Sequence, residues 1–239
     1  MKNSADPETA TATRLVVDVV SDLICPWCFV AKRRLERTGA LLARPLDIRW
    51  HPFQLNPTMP REGTSRRGYR SAKFGSWERS RQLDAQVAAA GTEVGIEFRH
   101  DLMERTPNTV RGHVLLAAAL RQGVEIQNRV AERLFTGYFT SGEDVGDPRV
   151  LVGMARECGV DAIAQPEDLD DPSIVHEVHA EEQEMRLRGI QGVPLITFQD
   201  QVIASGAQRE EVLAAALREI AANSEECRDG FCTVQPERP

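Results

Sequence analysis

The spacing of apolar positions changes character twice along the chain. Leu15-Val16-Val17-Asp18-Val19-Val20 is a short, valine-rich run, the pattern of a buried strand. From Pro26 to about Leu42, Phe29, Val30, Leu35, Leu41 and Leu42 recur at loosely helical spacing, which assigns Lys32, Arg33 and Arg34 to the wet side. Pro45 opens a second strand, Leu46-Asp47-Ile48-Arg49-Trp50, whose alternation predicts one buried face. A β-α-β unit of this kind requires a right-handed crossover. Between about 62 and 188 the chain is rich in Ala, Arg, Glu and Leu at a period of 3.6. The pattern predicts helices near Ser65–Phe74, Ser76–Ala90, Thr109–Gln122 and Val124–Thr140. Two more start at Asp147-Pro148 and Asp171-Pro172, where Asp caps and Pro takes the first helical position, and end at Cys158-Gly159 and Gly189. Strand patterns then return in Leu195-Ile196-Thr197-Phe198 and Val202-Ile203-Ala204-Ser205, joined through Gln199-Asp200-Gln201 as a hairpin. A last helix runs from Gln208 to Asn223.

The order is therefore β-α-β, a helical block, then β-β-α. The outer parts form one small α/β sheet with flanking helices: a discontinuous domain of residues 14–61 and 189–223, with an all-helical domain inserted over 62–188. Residues 1–13 are polar and read as a disordered N-terminus, and 224–239 as a polar tail. No internal repeat is visible.

Composition narrows the functional classes. The 239 residues are 41% hydrophobic, ample for a core, but only 5% aromatic, so Ala, Leu and Val must fill most of it. A net charge of -7 argues against a nucleic-acid surface, and the basic stretch Arg61 to Arg81 reads as a solvated helical face. The polar start carries no apolar signal segment and no run is long enough to span a membrane, so a cytoplasmic location is expected.

Within this frame, Cys25-Pro26-Trp27-Cys28 lies between the first strand and the first helix. Pro26 suits the first helical position, which puts Cys25 at the helix N-terminus, where the dipole and unsatisfied N–H groups favour a thiolate. Such placement can lower a thiol pKa from ~8.5 to roughly 3.5–7.5. Cys28, one turn inside, is placed to attack a mixed disulfide formed on Cys25. A zinc site would need about four ligands. The only other close pair is Cys227 and Cys232, remote from all five histidines, so no metal site is assigned. Cys158, among Met154, Ala155 and Val160, reads as a small buried hydrophobe. The histidines form no motif, and His176 and His179 read as surface residues. Asp22, three residues before Cys25, reads as a turn residue, with proton relay to the thiols as the alternative.

Four segments together resemble the FrnE branch of the DsbA-like thiol oxidoreductases: Ser21 to Cys28, Trp50-His51-Pro52-Phe53-Gln54-Leu55-Asn56-Pro57, Gly192-Val193-Pro194 and Ser205-Gly206-Ala207-Gln208. The resemblance spans roughly residues 14–222 and implies a thioredoxin-like fold interrupted by a helical domain. It implies that Cys25 and Cys28 are the catalytic pair. It also implies a cis Val193–Pro194 bond facing the cysteines, where an extended substrate chain would pair as an added strand. Trp27, between the thiols, is assigned to substrate contact. No cofactor is expected, the partners are protein thiols and disulfides, and the activity is that of a protein thiol-disulfide oxidoreductase or disulfide isomerase.

Kappa-class glutathione transferases and 2-hydroxychromene-2-carboxylate isomerases resemble this chain in fold. They usually carry serine where Cys25 stands, and they supply the alternative reading, a glutathione-dependent isomerase or transferase. Asn108-Thr109 resembles a segment of those isomerases near the ligand site, but its position beside Pro107 also fits a helix cap. Cys227 and Cys232 bracket Asp229-Gly230, a turn signal, and form a candidate second redox pair, which also occurs in some FrnE-like proteins. Glu225, Glu226 and Asp229 around the pair disfavour a thiolate there.

Overall fold

A computed structural model describes residues 14–228. Strand β1, Leu15–Ser21, passes through the loop 22–25 into helix α1, Pro26–Leu42, and the chain returns as β2, Leu46–Pro52. The two strands pair in parallel from Leu15 opposite Leu46 to Ser21 opposite Pro52. The valine-rich run thus supplies a central strand: Val17 and Val19 are fully buried, while Asp18 between them faces the other side. Late in the chain come β5, Leu195–Phe198, and β6, Gln201–Ser205, after the two-residue strands β3, Thr64–Ser65, and β4, Arg105–Thr106, which pair with each other inside the insertion. The four-stranded sheet has the order β2-β1-β5-β6, with β5 antiparallel to β1 and β6 antiparallel to β5.

The hairpin turn is shorter than the sequence pattern predicts. Gln201 belongs to β6, and the turn is Gln199-Asp200 alone, both with positive φ (50° and 60°), the mirror-type geometry that matches strand twist.

Between the halves of the sheet lie α2, Arg66–Phe74; α3, Trp77–Glu93; α4, Val110–Gln122; α5, Val124–Ser141; α6, Pro148–Cys158; and α7, Pro172–Leu187. Asp147 and Asp171 cap α6 and α7 through their side chains, with Pro in the first helical position of each, as the sequence predicts. Helix α8, Glu210–Arg228, extends five residues past Asn223, so Cys227 falls in its last turn while Cys232 and residues 1–13 lie outside the described residues.

The inserted helices do not stand apart. One continuous core joins Phe29 of α1 to Phe135 and Phe139 of α5, with ring centroids 5.5 and 6.3 Å apart, and Trp50 of β2 meets Phe135 edge-on at 5.6 Å. Although Ala, Leu and Val fill much of that core, the few aromatics are concentrated where insertion meets sheet. The structure also overturns the assignment of Lys32 and Arg34 to a wet face, while Arg33 stays half-exposed. Lys32 is 2% exposed and pairs with Glu36 and, at 2.9 Å, with Glu132 of α5. Arg34 is buried against the Ala207 carbonyl and Glu93. Helix α1 is enclosed on more sides than its own pattern reveals, because the covering face belongs to residues a hundred positions away.

Helix α5 also occupies the edge of the sheet. The buried Gln127 carboxamide accepts from the Trp50 N–H and donates to the Trp50 carbonyl, both at 2.9 Å, reproducing the two bonds a neighbouring strand would make.

Candidate active site

The site is built at the junction of β1 and α1. Cys25 is the N-cap residue of α1, with extended backbone (φ -92°, ψ 106°), and Pro26 starts the helix. The preceding turn is closed by the Cys25 N–H donating to the Asp22 carbonyl at 3.0 Å. The Asp22 carboxylate, fully buried, accepts from the Leu55 N–H at 2.7 Å and the Ile24 N–H at 3.4 Å. It therefore ties the loop before Cys25 to the segment after β2, the structural role the sequence suggests.

Both thiols are free and nearly covered: Cys25 is 5% exposed and Cys28 0%. Cys25 is far less open than a helix-start position suggests, and its sulfur lies against the Val193 carbonyl rather than free in solvent. Burial, a hydrogen bond with Cys25 and the charge on that neighbouring sulfur push the Cys28 thiol well above its ordinary value; the Asp22 carboxylate adds to the rise, while a hydrogen bond from the Asp22 backbone opposes it.

Across from the thiols, the Val193–Pro194 bond is cis. The Cys25 Sγ donates to the Val193 carbonyl at 3.5 Å, and the Pro194 carbonyl accepts from the Gly206 N–H at 2.8 Å, so the bend is held by the chain after β6. Cys25, Cys28, Val193 and Pro194 are thus brought together where the end of β1 meets the start of its antiparallel neighbour β5. Trp27, 37% exposed, stands at the edge of a cavity of about 220 Å³ that opens beside Cys25. Leu55, Phe74, Met103 and Tyr138 supply much of its apolar wall.

Other assignments divide. Cys158 is buried, its thiol pushed up by burial and by Glu157, in line with a packing role. The Asn108 side chain donates to the Met59 carbonyl and accepts from the Val110 N–H, and so stabilises the start of α4. Among the described residues no cluster of three metal-ligating side chains occurs. His176 and His179 are exposed, but two other histidines are not idle. His113 of α4 is buried with its Nε2 3.8 Å from Asp22 Oδ1, behind the cysteines. His51 of β2 bridges Asp18 at 2.6 Å and Glu181 at 2.5 Å. The basic stretch is also more than a solvated face. Arg66 is 3% exposed, and it and Arg70 both bind Asp84. Nothing local in the sequence marks these residues, since each takes its partner from another element.

Comparison with known proteins gives a consistent picture. The family model described as the DSBA-like thioredoxin domain matches residues 16–218. A Bacillus subtilis protein, the uncharacterized YwbO, is 27% identical over 147 residues, covering 61% of this chain and 66% of its own length, just under two thirds. The crystal structure of a probable DsbA oxidoreductase from Streptomyces coelicolor is similar over 93% of this chain and 94% of that one, with 26% identity and a TM-score of 0.74. A 2-hydroxychromene-2-carboxylate isomerase, 15% identical over 89% of this chain and 99% of its own, shares the fold with a TM-score of 0.69.

Proposed function

The chain belongs to the DSBA-like thioredoxin domain family, and from that premise we propose that it is a cytoplasmic protein thiol-disulfide oxidoreductase with disulfide isomerase activity, acting through Cys25 and Cys28. The observation that carries the reading is the Cys25 sulfur lying between the start of α1 and the Val193 carbonyl, with the fully buried Cys28 one turn behind it. Cys25 as thiolate attacks one sulfur of a substrate disulfide, and the other substrate sulfur leaves as a thiolate. Cys28 then loses its proton, attacks the Cys25 sulfur and releases the second substrate thiolate, leaving a Cys25–Cys28 disulfide. In the isomerase direction a substrate thiol attacks the mixed disulfide instead. The raised Cys28 thiol fits this order. Its hydrogen bond with the Cys25 sulfur and the charge which that sulfur carries as a thiolate, two of the causes of the rise, disappear once Cys25 is bonded to substrate. Cys28 then becomes easier to ionise when it is needed.

The test is insulin reduction and refolding of scrambled ribonuclease. Cys25→Ser should lose both activities, and Cys28→Ser should accumulate mixed disulfides; full activity in Cys25→Ser would reject the assignment. Val193, Pro194 and Trp27 form the proposed substrate contact. A second reading, a glutathione-dependent small-molecule isomerase or transferase, draws on the apolar cavity beside Cys25, and a glutathione-conjugation assay tests it.

The proposal extends to the tail, where Cys227 and Cys232 act as a secondary or regulatory pair exchanging with the primary one. Cys227→Ser and Cys232→Ser should each shift the redox titration of Cys25–Cys28 read by thiol-trapping mass spectrometry. Superimposable titrations in variant and parent would remove the shuttle.

A further inference from the structure

The cavity beside Cys25 has an apolar wall with an unbalanced charge. Arg66 and Arg70 of α2 both reach Asp84 of α3, at 2.8 and 2.6 Å, so a single carboxylate serves two guanidinium groups. Lys73, one turn further on and exposed at the mouth, donates to the Tyr69 hydroxyl at 3.2 Å and makes no ion pair among the described residues. His100 lies 3.9 Å from Asp84 and stays neutral: burial, together with Arg66 and Arg70, outweighs that carboxylate and brings it down to about 4. No Asp or Glu lines the cavity among the described residues. Buried cations such as Arg66 and Arg70 are costly without sufficient counter-charge, and the cavity they line together with Lys73 has room for one.

We propose that this cavity is a substrate subsite for small disulfides whose apolar, carboxylate-bearing half enters it. The substrate sulfur would lie at Cys25 and its carboxylate at Arg70 and Lys73. The inference rests on the dithiol reading above and names a substrate class for that same site. At about 220 Å³ the cavity is smaller than the roughly 300–1,000 Å³ of drug-sized ligand sites, room for one ring and its carboxylate. Cys25 as thiolate forms a bond to one aromatic sulfur, and the other half leaves as an arenethiolate. Cys28, giving up its proton, then displaces the second half. The protein dithiol is oxidised by two electrons, and the disulfide is reduced to two thiols.

The test compares two probes on the reduced full chain, with the double variant Cys25→Ser/Cys28→Ser as the blank for the other cysteines. One is dithiobis(nitrobenzoic acid), carrying a carboxylate on each ring; the other is dithiodipyridine, aromatic and neutral. The readout is the ratio of their rates, divided by the same ratio for free N-acetylcysteine. Electrostatic capture of this kind should raise that quotient about tenfold, and Lys73→Met should bring it back toward one. Arg70→Met should do the same; Lys73→Met, being at the surface, decides the matter if Arg70→Met does not fold. A quotient near one in the parent, or one unchanged by Lys73→Met, overturns the subsite. The amount of arenethiol released separates the two failures. Two equivalents above the blank with no preference reject the subsite alone. One equivalent with a preference rejects the dithiol step and leaves the subsite standing.

Discussion

The buried Asp22 carboxylate shows how much a single side chain can determine at this site. Its oxygens hold the N–H groups of Leu55 and Ile24, and its carbonyl receives the Cys25 N–H. Removing the side chain leaves these partly buried donors unpaired, at a cost of about 1–3 kcal/mol. Asp22→Ala should therefore lower the urea midpoint of unfolding by a corresponding amount, whereas Asp22→Asn, which keeps one acceptor oxygen, should lose less. Equal stability of Asp22→Ala and the parent would reject the bracing role. At this scale the C-x-x-C pair and the turn role of Asp22 are legible from residue type and short spacing, whereas the Val193-Pro194 bend is legible only through the family resemblance. Arg66 and His113 are not, because an isolated arginine or histidine carries no signal until a partner from a distant helix is placed beside it.

At the scale of elements, the start of α4 packs against the loop that positions Cys25, and Gly112 makes that approach possible. A Cβ added there would lie 2.2 Å from the Leu23 Cδ1, in a fully packed region. Gly112→Ala should destabilise the protein by about 1–3 kcal/mol through overpacking, and slow Cys25 chemistry as the loop shifts. Thermal unfolding and insulin reduction check the two effects together; an unperturbed melting temperature would show that the loop yields freely. Most helices and strands are readable in the sequence because caps, prolines and periodicity agree locally. The reading fails where periodicity is judged one helix at a time. Lys32 sits on the apparent wet side of α1, yet Glu132 of α5 makes that side an interior.

For the molecule as a whole, the insertion is anchored to the sheet through His51, which links Asp18 of β1 and Glu181 of α7. Burial alone would lower its pKa, but the hydrogen bonds and charges of Asp18 and Glu181 prevail and raise it to about 9. A group whose pKa rises on folding stabilises fully below its unfolded value, roughly 6.5, and loses that contribution as the pH climbs toward 9. The parent should therefore exceed His51→Gln in stability by about 1–3 kcal/mol near pH 6, with the gap narrowing by pH 9.5. Urea titrations at the two pH values measure it, and a gap independent of pH would mean that His51 is not charged in the folded chain. The order β-α-β, helices, β-β-α already implies an interrupted sheet. The depth to which the helical block is welded to that sheet is invisible before the chain folds, because it rests on contacts such as Phe29 on Phe135 and Gln127 on Trp50.

The Gln127 contact has a bearing on the company the protein keeps. Open strand edges invite copies of a protein to add to one another, and charge, proline and bulges are the common deterrents. Here the deterrent is one carboxamide, already seated in the place a foreign strand would take. Any change that lifts α5 from the sheet would uncover a template for self-association along β2, so the helix that lends Tyr138 and Phe139 to the cavity also keeps copies of the chain apart.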